Sequence, residues 1–166
     1  MVMIVNVTKL LLLSLLVTSC CKVPNTNSPT WYSLPIKVSF SSNVSAAFKN
    51  ETLAVMNEWE KATGVDIFSD NALYGVVVRF DSANNFKANE QAVTNIKWQS
   101  LNIYEATIRV NTSELFDIKS LMLHELGHSL GLKHTSQGVM YPYLGYYEVR
   151  DTLDIETIDY FYNLYY

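Results

Sequence analysis

The chain has 166 residues, 49% of them hydrophobic and 17% charged, enough for one compact domain with a sizeable core. A total of 12 Lys and Arg against 16 Asp and Glu leaves a net charge of −4, and no basic run or stripe exists to serve nucleic-acid binding. Its cysteines, Cys20 and Cys21, stand together near the N-terminus, so none is left for a buried disulfide.

Leu10 to Val17 (LLLLSLLV) is an apolar run preceded by Lys9. It is too short to span a bilayer as a mature helix and has the length of a signal-peptide core. Val17-Thr18-Ser19-Cys20 then resembles a bacterial lipobox. Residues 1–20 are therefore expected to be a signal peptide of lipoprotein type, with Cys20 the lipidated residue. The other reading is a plain secretory signal cut near Ser19 or Cys20. Both place the mature chain outside the cytoplasm, either secreted or held at a membrane of the cell envelope by a lipid worth about 0.8 kcal/mol per buried methylene. Residues 21–30, including Lys22 to Thr30 (KVPNTNSPT), lack apolar periodicity and read as a tether. The folded domain is expected over 31–166.

Alternation in Ile36 to Phe40 predicts a first strand. Val44, Phe48, Thr52, Val55, Trp59 and Ala62 form the stripe of an amphipathic helix that Thr63-Gly64 ends. Val65 to Phe68 and Gly75 to Phe80 predict two strands, and Val93 to Trp98 a weaker one, followed by a turn at Gln99 to Asn102. Tyr104, Ala106, Ile108 and Val110 should share the buried face of another strand. A helix is expected from about Asp117, its N-cap, to Leu130, with Gly131 as its stop. Ser136 to Tyr147 reads as a Gly- and Tyr-rich loop, and a last helix is expected over Asp151 to Tyr162. This order indicates an α+β fold, with helices packed on one sheet.

Residues 124 to 134 read HELGHSLGLKH. On a helix His124 and His128 lie on one face, a turn apart, so their imidazoles can converge on one ion. Glu125 points beside that ion, where its carboxylate can hold and deprotonate a zinc-bound water. Gly131 can take a positive φ and turn the chain out of the helix, letting His134 return as a third ligand. Three neutral imidazoles leave the zinc charge uncompensated, which pulls the pKa of bound water to about 7 and keeps a fourth position open. All 3 histidines of the chain occupy these positions, so no set remains for a second zinc site. Scattered structural histidines would not fall this way.

This stretch, followed by Gly138-Val139-Met140-Tyr141-Pro142, closely resembles the matrixin branch of the metzincins, the catalytic domains of matrix-metalloproteinase type. Trp59 with Ala62-Thr63-Gly64, Val76 to Phe80, and Asp154-Ile155 with Ile158 and Phe161 extend the resemblance over most of Trp31 to Tyr162. It implies a zinc-dependent metalloendopeptidase with Glu125 as general base and Met140 in the Met-turn beneath the metal. It also implies a twisted, mostly parallel five-stranded sheet with one antiparallel edge strand, an active-site helix and a C-terminal helix. A protein or peptide substrate would bind along that edge by strand addition, with Val93 to Trp98 as the candidate strand. Matrixins usually continue Pro-x-Tyr after the Met-turn to wall the S1′ pocket. Here Pro142 is followed by Tyr143 and Leu144, which become the candidate pocket residues. No cysteine is placed to cap the zinc, and no Asp/Gly-rich calcium loop is evident, although backbone carbonyls can bind calcium without such a signature. A monomer is expected. The alternative from another class is a zinc-containing surface lipoprotein that binds a partner without turnover; retention of Glu125 argues against it, because zinc binding alone does not need that residue.

Overall fold

The computed structural model of the protein describes residues 28–70, 75–113, 117–142 and 152–166. The expected leader, Cys20, most of the tether, and Tyr143 and Leu144 lie outside the described residues. In chain order the elements are β1 (Thr30–Trp31), β2 (Ile36–Phe40), α1 (Ala46–Thr63), β3 (Phe68–Asp70), β4 (Val76–Asp81), β5 (Ala92–Gln99), β6 (Asn102–Asn111), α2 (Ile118–Ser129) and α3 (Ile155–Tyr165).

Strands β3, β2, β4 and β6 lie side by side and parallel, and β5 runs antiparallel to β6 at the sheet's end. The sheet is thus mostly parallel with one antiparallel edge strand, as the resemblance implies. The short β1 adds a parallel pairing to Asn102 and Ile103. Because β5 occupies one edge of β6, β1 and β4 share the other, β1 ahead of β4. Strand period two puts Ile36, Val38, Val76, Val78, Ala106, Ile108 and Val110 on one buried face. Helices α1 and α2 cover that face, bringing Phe48, Val55, Leu123 and Leu126 into the same core. Each such side chain, fully buried, stabilises by about 1.5–3 kcal/mol. Trp59, also fully buried, donates its indole N–H to the Leu123 carbonyl at 3.3 Å, tying α1 to α2.

Local departures from expectation have local causes. Ser45 caps α1 by accepting the Phe48 N–H at 3.2 Å, and Met56 and Thr63 join the buried stripe while Ala62 is exposed. The strand expected over Val65 to Phe68 begins at Phe68, because Glu60 at the end of α1 accepts the N–H groups of Ile67 and Phe68 at 3.1 and 2.8 Å and shapes the preceding residues as a loop. Tyr104 does not share the Ala106 face. Lys97 pairs with Glu105 and Trp98 with Ile103, so Tyr104 is the extra residue of a β-bulge. The alternation shifts there, which leaves Tyr104 55% exposed and buries Ile103 at 3%. The last helix starts at Ile155 instead of Asp151, since Asp154 is its N-cap and accepts the Thr157 N–H at 2.9 Å.

Ser28 to Thr30, the end of the stretch read as a tether, pack onto the domain: Ser28 is buried and Thr30 donates to the Leu101 carbonyl at 2.9 Å. Among the described residues no helix is long and apolar enough to cross a membrane.

Candidate metal centre

Helix α2 carries the first two histidines. Its N-cap Asp117 accepts the N–H groups of Lys119 and Ser120 at 3.0 and 3.4 Å, satisfying two of the donors that a helix start leaves open. Every residue from Ser120 to Gly127 is buried, so the helix is embedded between α1, the sheet and the loop beyond its C-terminus. At its far end Trp31 donates its indole N–H to the Ser129 carbonyl at 2.7 Å, and Tyr165 donates its hydroxyl to Leu130 at 2.8 Å. The helix axis is therefore tied down at both ends.

Gly131 turns the chain back with a φ of 90°, a conformation L side chains avoid, and a Cβ there would overlap the Pro29 carbonyl. After that turn Leu132 donates its N–H to the Gly127 carbonyl at 3.1 Å, and its own carbonyl accepts from His128 Nδ1 at 2.8 Å. The returning segment then brings His134 back to the helix, its Nε2 3.0 Å from His128 Nε2. The second ring nitrogen of His124 is also committed: Nδ1 donates to the Val139 carbonyl at 2.7 Å. A carbonyl can only accept, so both helix histidines carry their proton on Nδ1 and present Nε2 as the ligand atom.

One ligand nitrogen from each of His124, His128 and His134 lies within 4.8 Å of the other two. Two nitrogens bound to one tetrahedral zinc stand about 3.3 Å apart, so small movements bring this set onto an ion, and the donor set fits zinc. Burial lowers the pKa of His128, partly opposed by the Leu132 carbonyl, and burial lowers that of His134 as well. Both effects favour the neutral form that a ligand needs.

Val139 and Met140, which follow His134 in the chain, are both buried. A Cβ on Gly127 would overlap Met140 Sδ, which explains a glycine inside a helix where alanine would be worth about 1 kcal/mol more. The Thr135 N–H donates to the Met140 carbonyl at 3.0 Å and closes the loop between His134 and the methionine. Asp154 then holds the loop from outside, accepting the Val139 N–H at 2.7 Å and the Thr157 hydroxyl at 2.8 Å.

Above the histidines runs a cleft of about 790 Å³, within the range of ligand sites. Glu125 lines it beside the histidines, with β5 along one wall and Pro142 at its border. Burial pushes the Glu125 carboxyl up to about 7, against the lowering effect of a hydrogen bond from Thr94. The outer edge of β5 pairs with no described strand, so its backbone groups border the cleft.

The structure thus brings together His124, Glu125, His128, His134, Met140 and Pro142. Thr94, Gly127 and Asp154 take part as well, and none of them has a role assigned from sequence. Only Gly127 carried a usable signal, because an interior helix glycine marks a close approach; the other two act through contacts between residues far apart in the chain. The family model described as Matrixin matches residues 34–165, well over half of the chain. No curated protein matches it.

Proposed function

The chain belongs to the matrixin family of metallopeptidases, and from that premise we propose that it is a zinc-dependent endopeptidase with Glu125 as general base. The observation that carries this reading is the convergence of three histidine nitrogens in a cleft that also holds the buried Glu125 carboxyl. His124, His128 and His134 would hold the ion. Bound there, zinc supplies a Lewis acid for the scissile carbonyl and makes an attacking water acidic near neutral pH. The open edge of β5 offers backbone donors and acceptors to a peptide lying extended in the cleft. Glu125 takes a proton from the attacking water and delivers it to the amine nitrogen as the C–N bond breaks. Pro142, with Tyr143 and Leu144, would shape the pocket for the side chain on the far side of the scissile bond. A single catalytic ion is supported by a count of 3 histidines, all of them in this site. The run from Leu10 to Cys20 supports action outside the cytoplasm, with Cys20 as the lipid attachment point.

Incubation with internally quenched peptides tests the reading. Cleavage at internal bonds, abolished by a chelator and restored by zinc, is the expected result. Intact peptides in the presence of zinc-loaded protein would favour the binding module without turnover.

A further inference from the structure

Strand β5 does more than border the cleft. Its inward face carries Ala92, Thr94 and Ile96 in alternation, and Ala92 and Ile96 pack against the core. Thr94 stands between them and is the polar member of the set. Its hydroxyl meets Glu125 twice, with Oε2 of the carboxylate and, at 3.2 Å, with the backbone carbonyl. A hydroxyl has one proton, and the charged oxygen is the stronger acceptor, so the donated bond goes to Oε2. Threonine suits the task because its β-branched side chain is stiff at χ1 and arrives already aimed. If packing alone mattered, valine would fill the same volume without bringing a hydroxyl into a half-buried site.

We propose that Thr94 is a positioning residue for Glu125: its hydroxyl holds Oε2 so that Oε1 is turned toward the attacking water. The proposal rests on the endopeptidase reading and deepens it. The water O–H bond breaks as the proton comes to Oε1, and that proton later leaves Oε1 to form the N–H bond of the departing amine. Thr94 keeps its own proton throughout. Without this hydrogen bond the carboxylate can rotate about its last torsion, which is broad for glutamate, and can present its oxygens in unproductive directions. Strand β5 then has two duties: its backbone edge sets the register of the peptide and its Thr94 side chain sets the direction of the base. A peptide bond aligned on β5 is therefore aligned with Glu125 as well.

The test compares full-length, zinc-loaded wild type with Thr94→Val and Thr94→Ser on one quenched peptide, recording kcat, KM, zinc content and melting temperature. Loss of one hydrogen bond to a charged group lowers kcat about tenfold or more in Thr94→Val. KM and zinc content should stay close to wild type, because the hydroxyl touches neither ligands nor the strand's outer edge. Thr94→Ser should recover most of the lost kcat. The proposal is overturned if Thr94→Val keeps wild-type kcat, if Thr94→Ser is as slow as Thr94→Val, or if zinc content and melting temperature fall along with activity. A zinc-loaded wild type that cleaves nothing would overturn the endopeptidase reading itself, and the role of Thr94 with it.

Discussion

Asp154 holds Val139 in place, accepting its N–H at 2.7 Å, while the Val139 carbonyl accepts from His124 Nδ1 at the same distance. One residue thus links the N-cap of α3 to the orientation of a candidate zinc ligand. Replacing Asp154 with alanine removes the cap and leaves the Val139 N–H without its acceptor. The expected loss of stability is about 2 kcal/mol, and outer-shell changes of this kind weaken metal binding about 10- to 100-fold. Urea unfolding and a zinc competition titration against a chelator check the two effects separately.

The response to pH arises from the same groups. Asp154 is lowered from 3.8: burial raises it, but the hydrogen bonds from Val139 and Thr157 together outweigh burial. A lowered carboxylate contributes stability that is complete above 3.8 and disappears as pH falls toward the folded value. His128 and His134 are lowered from 6.5, so below that pH the unfolded metal-free chain binds protons the folded chain does not. In the metal-free protein the two histidines therefore favour unfolding as pH falls below 6.5. Glu125, raised from 4.5 to about 7 by burial, opposes them by binding its proton more readily in the folded chain. Below 3.8 Asp154 adds a further loss. Urea midpoints should show the lower decline in wild type and less of it in Asp154→Asn, and the upper decline should be steeper in Glu125→Gln, which lacks the opposing carboxyl.

Gly131 is the least replaceable residue of the turn. An alanine there meets an unfavourable φ and the Pro29 backbone, which cannot move aside as a flexible side chain could. Gly131→Ala should cost about 2 kcal/mol or more. It should also lower zinc affinity, because Leu132 and His134 come directly after this turn. A calorimetric melt with and without zinc reads both consequences.

Much of this was legible in the sequence where the pattern is local. Ile36 to Phe40 alternates cleanly and forms β2 with those bounds. Asp117 marks the start of α2 through its capping side chain, and Gly131 marks the end through its positive φ. The three histidines could be joined because helix spacing and one glycine turn suffice to bring them together. What stayed hidden depends on other parts of the chain. The Tyr104 bulge shows only against the register of β5, and the start of α3 depends on which of two aspartates caps it. The hydrogen bond between Thr94 and Glu125 joins residues 31 positions apart, which no periodicity reveals.

The reading of Leu10 to Cys20 as a lipoprotein leader has its own consequence. Expressed with that leader in a bacterium fed a labelled fatty acid, the protein should carry the label and partition with membranes. Cys20→Ser should lose both properties. Label retained in Cys20→Ser would contradict lipidation at this residue.

The proposed mechanism divides the work: the histidines alone hold the metal, and Glu125 performs the proton transfer. Measuring zinc content and peptide cleavage together in Glu125→Ala tests that division at its root. One zinc per chain, as in wild type, is expected, together with a fall in kcat of about a hundred- to ten-thousand-fold. A Glu125→Ala variant that binds zinc and cleaves at the wild-type rate would contradict the mechanism.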